Sequence, residues 1–392
     1  MTLTVLDSST EKACSSKAHS MKTQFNPQRI LAARDLLGFT LTELAEAIEV
    51  SQAFLSQVAG GNKNLSEPHA ESLAQVTGLP ITFFTMESPD LPSDSLRFRK
   101  NKTASSRLTR QASALFRETY RVAADLAAAT ALKTRPLTQA STTIESIDDT
   151  RLEDAAAAAR SLLGLDGSQP ILNLTRSIER LGIVVAPIIL DPISEESGVV
   201  APGHFGISHG KTDQGTPLIG YFPGSAPDRD RFTLAHELGH LVLHPGRQLP
   251  SAEDEANYFA GALLFPEAAA RSLIRPDATL SQLARVKAEY GISIQALIMR
   301  AAALGILSPE RKRSLFVQLS ARGWRTNEPV EVAAEYPLLF RKMFDIATSG
   351  VKSVSLIEQR FGLPMSYLRS MAPSASNRGL ENGAEVISLR RA

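Results

Sequence analysis

The sequence predicts a multidomain chain in which a small all-α domain is followed by an α+β domain and a helical C-terminal region. Three observations predict it. At 392 residues the chain exceeds what one hydrophobic core organises. Apolar residues recur at helical spacing between about residues 27 and 84, and stretches rich in β-branched residues enter only after about residue 150. Hydrophobic residues make up 43% and charged residues 21%, the balance of ordinary globular protein.

Residues 1–24 are polar with few core formers and read as a disordered tail. An apolar stripe through Ile30, Leu31 and Leu36, a break at Gly38 and a second stripe from Leu41 to Ile48 predict a compact helical domain over 25–85. The run Ser88-Pro-Asp-Leu-Pro-Ser93 marks a boundary, and 86–149 reads as a linker with a basic, helix-like arm carrying Arg97, Arg99, Lys100, Lys102, Arg107, Arg110, Arg117 and Arg121. Alanine-rich helices are predicted near 121–132 and 152–164, and strands at 183–185, 198–200 and 218–221, which places the α+β domain at 150–320. Beyond Pro266 helical periodicity returns at 280–290, 294–304 and 311–319, and 321–392 reads as helical with a loose end. No internal repeat of 20–50 residues is found.

Forty-two basic residues face forty-one acidic ones, so no global field draws the chain to nucleic acid or membrane; a DNA-binding surface must come from local clustering. The single cysteine, Cys14, excludes an internal disulfide framework and a multi-cysteine zinc site. No apolar run reaches the roughly 20 residues that span a bilayer, and no signal-peptide layout opens the chain. The expected location is therefore the cytoplasm, with no membrane partner.

Residues 41–58 place Leu44, Ala45, Ile48, Val50, Leu55 and Val58 as two helices would need them to pack across a sharp turn, a helix-turn-helix. Ser51 can cap the second helix. Gln52, Ala53, Phe54, Ser56 and Gln57 then face outward from a helix able to enter a major groove. Glutamine suits adenine edges and Phe54 a thymine methyl, while the amides of the turn at 60–63 and the Lys63 charge can hold phosphate. The expected partner is a double-stranded DNA operator, with which a homodimer is compatible. A helical bundle that binds protein instead is the alternative. The stretch resembles the phage-repressor-like (XRE-type) helix-turn-helix family over about 55 residues, with two departures. Leu41 stands where glutamine usually opens the first helix, and Ala59 stands where a glutamate usually pairs with an arginine such as Arg34.

The run Arg231-Phe-Thr-Leu-Ala-His-Glu-Leu-Gly-His-Leu-Val-Leu-His244 holds the most chemistry. His236 and His240 lie four residues apart; on a helix that is a turn of about 400° and a rise of about 6 Å, so both imidazoles project from one face and can converge on one ion. Glu237 sits where it can take a proton from a water at that ion. Upstream, Ser225-Ala-Pro-Asp228 reads as a capping-box-like helix start. Two histidines decorating an ordinary helix are the bland alternative.

A third ligand defines the class. A histidine six residues after His240 would need to be at 246, which is Gly246. His244 lies two turns, about 12 Å of rise, from His236 and reads better as capping or substrate-facing. In the next helical stretch, Glu253 and Asn257 share a face, so Glu253 is preferred as ligand with Asn257 supporting a ligand histidine from behind. Glu255 is the competing ligand. These motifs, followed by Ala-Asn-x-Phe-Ala-x-x-Leu-Leu-x-Pro at 256–266, resemble the ImmA/IrrE-like zinc metallopeptidases over about 150–320. The resemblance implies a zincin-like domain, a Zn2+ cofactor and, as substrate, a regulatory protein such as a repressor or antitoxin; it also implies frequent fusion to a helix-turn-helix.

The expected chemistry is peptide hydrolysis with zinc at His236, His240 and Glu253 and with Glu237 as base. Residues 218–222 are expected to form an edge strand that pairs with extended substrate, and Tyr221, Tyr258 and His244 are guesses for an oxyanion stabiliser. The rivals are a regulator whose peptidase-like domain senses a ligand or metal without cutting, and an antitoxin that neutralises a toxin by binding. The intact Glu237 argues for retained chemistry.

Overall fold

The computed structural model describes residues 24–89, 91, 97–100, 106–137, 146–165, 167–190, 204–210, 215–244 and 249–373. The expectations for residues 1–23, the strand at 198–200, Lys102 and the final residues lie outside them.

The N-terminal domain is built from α1 (Gln28–Leu37), α2 (Leu41–Ala47), α3 (Gln52–Ala59), α4 (Glu67–Thr77) and a 3-10 turn (Ile81–Thr85). Gly38 ends α1 in the left-handed conformation at φ 71°, which glycine adopts without a Cβ penalty. Thr40 and Glu43 form a reciprocal capping box on α2. The Ser51 hydroxyl accepts the Phe54 N–H and starts α3. Leu44, Ala45, Ile48, Leu55 and Val58 are buried between the two helices, as their spacing predicts.

The segment expected as a basic helix divides in two. Residues Arg97–Lys100 form strand β1, and helix α5 begins only at Ser106 and runs to Ala129. Clustered charge says nothing of period, and β1 is set by pairing with a strand more than 100 residues away. Helix α5 is no exposed arm: Ala112, Phe116, Val122, Ala123 and Leu126 along it are fully buried. Buried Glu118 on it receives Arg29 of α1 in a bidentate pair, Nη1–Oε1 2.6 Å and Nη2–Oε2 3.0 Å, and Arg121 Nε at 2.9 Å.

Further along come α6 (Asp149–Leu162), α7 (Leu174–Glu179) and strands β2 (Val184–Pro187), β3 (His204–His209) and β4 (Leu218–Tyr221). The four strands form one sheet in the order β1-β3-β4-β2; β3 is antiparallel to both β1 and β4, and β2 is parallel to β4. Residues 218–221 are therefore an inner strand, paired on both sides and wholly buried, which corrects the expected edge. A continuous apolar run is what a strand buried on both faces requires.

The sheet separates two cores, and alternation along each strand divides the side chains between them. Val184, Ala186, Ile207 and Leu218 join the core shared by the helix-turn-helix, α5 and the C-terminal helices α14 (Leu339–Ala347), α15 (Val354–Phe361) and α16 (Met365–Met371). Val185, Ile219 and Tyr221 join a second core with α8 (Pro227–Leu243), α9 (Ala252–Leu264), α10 (Glu267–Leu273), α11 (Leu280–Tyr290), α12 (Ile294–Ala303) and α13 (Pro309–Ala321). No helix among the described residues is long and apolar enough to cross a membrane.

Candidate metal centre and DNA-reading helix

Helix α8 presents the histidine pair. Pro227 occupies its first turn, where a missing N–H costs nothing, but Ala226 stands at the N-cap without a side-chain bond. Ser225 does not cap as expected, and Asp228 instead pairs with buried Lys287 at 2.7 Å. Arg231, one turn further, fixes the helix by donating to the Ile171 carbonyl at 2.8 Å and pairing with Glu335. Helix α9 crosses α8 closely because residue 239 is glycine; a Cβ there would lie 2.9 Å from the Phe259 ring.

This crossing brings three donors together. His236 Nε2 and His240 Nε2 are 3.0 Å apart, and the Glu253 carboxylate reaches them at 3.4 and 3.2 Å. One ligand atom from each of the three falls within 4.8 Å of the others. His236 is fully buried and His240 3% exposed, whereas the Glu253 side chain is 52% exposed, so the cluster opens to solvent on the glutamate side.

The groups behind the histidines decide which ring nitrogen carries hydrogen. Asn257 Oδ1 lies 3.0 Å from His236 Nδ1 and accepts from it, leaving Nε2 of the neutral ring as an acceptor. Glu255 Oε2 accepts from His244 Nε2 at 2.7 Å, so His244 Nδ1 accepts from His240 Nδ1 at 3.2 Å. His240 Nε2 is then an acceptor as well. Two imidazole lone pairs and a carboxylate meeting at one point repel unless a cation lies between them, and two nitrogens with one oxygen suit a zinc-type ion. The residues present fit the metal.

Glu255 thus sits behind His244, with its other oxygen taking the Ile147 N–H at 3.0 Å. It is not with the converging donors. His244 is 2% exposed, so it does not face solvent; its place is between His240 and Glu255. This relay was not read from the sequence, although the His236, His240, His244 repeat and an acid eleven residues on were its signal.

Glu237 is fully buried, and Ser208 Oγ on β3 donates to its Oε2 at 2.6 Å. The sequence pointed to neither β3 nor Ser208, since His-Phe-Gly-Ile-Ser-His carries a weak strand pattern. Gly206 admits the carboxylate, because a Cβ there would fall 2.5 Å from Glu237 Oε1. Of the three oxyanion guesses, Tyr221 is buried in the second core, and Tyr258 stands among Glu153 and Arg300, its hydroxyl pushed up to about 12 by burial and the Glu153 charge. His244 is occupied as above.

On the helix-turn-helix, Ser51, Gln52, Ala53, Ser56, Gln57 and Lys63 are exposed. Phe54 is half-buried, its ring 4.9 Å from His69 and 5.4 Å from the Lys63 ammonium. The turn at 60–63 does not offer its amides to phosphate as expected. Gly60, Gly61, Asn62 and Lys63 donate them to carbonyls of Ser56, Val58 and Gln57, closing the end of α3. Arg34 pairs with its neighbour Asp35 at 2.7 Å, an acid that stands in for the glutamate absent at Ala59.

Fold and site together define a helix-turn-helix DNA-binding domain joined to a metallopeptidase-like domain. Comparison with protein families agrees on both halves. Residues 30–84 match the HTH_3 helix-turn-helix model, and residues 194–302 match Peptidase_M78, the IrrE N-terminal-like domain. No curated protein gives a significant match to the chain.

Proposed function

We propose that the protein is a DNA-binding transcriptional regulator whose zinc-dependent endopeptidase domain cleaves a regulatory protein, a repressor or antitoxin. The observation that carries this reading is the convergence of His236, His240 and Glu253 beside a buried Glu237 that holds no place among the three. A helix that only stored a metal would have no use for that acid. Bound zinc would supply Lewis acidity, polarising the scissile carbonyl and acidifying the attacking water. Glu237 takes the proton from that water and delivers it to the leaving amine, with Ser208 fixing the carboxylate in place. Asn257 and the His244–Glu255 pair hold the two imidazoles in the tautomer that binds metal. On the DNA side, Gln52 and Gln57 read base edges of an operator while Lys63 meets phosphate.

Wild type and Glu237→Gln, incubated with zinc and candidate repressors or antitoxins encoded beside the gene, test the reading. The variant should keep its zinc and its DNA binding and cleave about 10² to 10⁴ times more slowly. Identical partner lengths with both proteins under every condition would make the site a sensor.

A further inference from the structure

The strand that touches Glu237 has a second edge. β3 pairs with β4 on one side; its residues 206 and 208 both reach the Glu237 carboxylate, Ser208 by hydrogen bond and Gly206 by close approach. A strand of this kind beside a catalytic helix recruits an extended peptide through its free main-chain groups. Here those groups are already engaged. β1 runs antiparallel along that edge, with Arg97 opposite Ser208, Phe98 opposite Ile207, Arg99 opposite Gly206 and Lys100 opposite His204. Paired Cα atoms lie about 4.5–5.5 Å apart, so Arg97 and Arg99 hold the backbone positions nearest the two β3 residues that reach the base.

Two features mark β1 as an occupant of the sheet rather than one of its permanent strands. It comes from the segment between the two family matches, 30–84 and 194–302; β2 comes from that segment too, but keeps an unbroken register with β4. It is as short as β2 and β4, at four residues, but its ladder shifts register between Arg99 and Lys100, whereas theirs do not. A short edge strand with an interrupted ladder is among the first elements of a protein to open. The opposite edge strand, β2, packs against α14 and α16 and lies across β4 from the Glu237 carboxylate.

We propose that the outer edge of β3 is the docking lane for extended substrate peptide and that β1 is its resident occupant, so that substrate enters by displacing the chain's own tether strand. That the displacing peptide is a substrate rests on the endopeptidase reading; the strand exchange does not. A tethered occupant competes at an effective concentration on the order of millimolar, which keeps the resting site closed to weak peptides.

The test uses the full chain carrying Glu237→Gln, so that no chemistry intervenes, and Cys14→Ser. The probe is a fluorescein-labelled synthetic peptide of residues 95–102. Successive amides of a strand point to opposite sides, so Phe98→Pro with Arg99→Pro removes at least one that faces β3. Anisotropy should show the peptide binding this variant at least about tenfold more tightly than the parent, and a peptide carrying the same two prolines should not bind. A Lys100→Cys/His204→Cys pair should abolish binding when oxidised and restore it when reduced. Hydrogen exchange on the parent protein guards against a misfolded variant: β3 amides facing β1 should exchange at least about tenfold faster than those facing β4. Equal affinity of parent and proline variant, or equal protection of the two edges, would overturn the proposal. Peptide binding as expected without cleavage of any partner by the Glu237 protein leaves the lane standing and removes the peptidase. Partner cleavage at one rate with and without the prolines, with no peptide bound, does the reverse.

Discussion

The candidate metal centre and the candidate recognition helix place their polar residues on opposite sides of the solvent boundary. His236, Glu237, His240 and His244 are 0–3% exposed and are gripped by α9, β3 and one another, whereas Gln52, Ser56, Gln57 and Lys63 stand in water on a helix whose stability comes from Leu55 and Val58 behind them. An exposed reading residue costs the fold nothing and can be exchanged without consequence for stability. A buried donor set costs desolvation that only a cation or a complete hydrogen-bond network offsets. Substitutions should therefore separate the two regions, one answering in occupancy and packing and the other in DNA affinity alone.

The largest effect is expected at the donors. Wild type should carry about one zinc per chain after dialysis, and His236→Ala or His240→Ala should reduce it below about a tenth, because a site with two protein ligands holds zinc poorly. Glu253→Ala should lower zinc content far more than Glu255→Ala, which loses only the support of His244. DNA affinity should stay unchanged in all four. Equal zinc in wild type and both histidine variants breaks the comparison at its first step.

The element joining the two regions comes next. Glu118 on α5 neutralises Arg29 of the helix-turn-helix inside the core, so Glu118→Ala leaves a buried guanidinium without its carboxylate and should cost about 3–5 kcal/mol of stability by denaturant titration. Burial pushes the Glu118 carboxyl up, but Arg121 and Arg29 outweigh it and hold it below its ordinary value. A carboxyl depressed in the folded state contributes its full stability above its unfolded pKa of about 4.3 and loses it as pH falls through the lower folded value. The gap between wild type and Glu118→Gln should thus be widest above about pH 5 and close on acidification. A gap independent of pH would mean that shape, not charge, holds α1 to α5.

How much of this was legible in the sequence follows from period and distance. The two helices at 41–58, the cap at Ser51 and the facing of Gln52 and Gln57 are local, set by residues three or four apart, and the His236, Glu237, His240 pattern is equally local. Glu253 and Asn257 could be placed because α9 follows α8 directly and its face repeats every four residues. What escaped depended on partners remote in the chain. β1 looked like charged helix because nothing within it names β3; the 218–222 run looked like an edge because its neighbours on both sides come from elsewhere. The amides at 60–63 read as open to phosphate, whereas the nearest acceptors are the chain's own carbonyls, three to six residues back.

A smaller effect than that of the donors is expected behind them. His244→Ala and Asn257→Ala each leave all three donors in place and remove the group that fixes one ligand imidazole, at Nδ1 of His240 and His236 respectively. Loss of such a partner costs about 10–100-fold in metal affinity, so both should bind zinc measurably but release it to a competing chelator that wild type resists. Release at the wild-type rate would mean that the crossing of α8 and α9, rather than these bonds, orients the rings.

The smallest effects belong to the exposed face, and there two kinds of contact should separate. Gln52→Ala with Gln57→Ala removes base-edge donors and acceptors, so affinity for the protein's own operator should fall by about 1–3 kcal/mol per lost bidentate contact while affinity for scrambled duplex stays constant. Lys63→Ala should do the opposite. Its ammonium is exposed and its backbone amide is committed to Gln57, so only the side chain is open to DNA, as a charge and not as a reader. Removing one phosphate contact should weaken operator and scrambled duplex alike and lower the slope of log affinity against log salt by about 0.9. Measured with the full chain across a salt series, the pair of variants gives two lines that differ in kind. An unchanged slope in Lys63→Ala would place the phosphate contact elsewhere on the domain and leave α3 with its glutamines only.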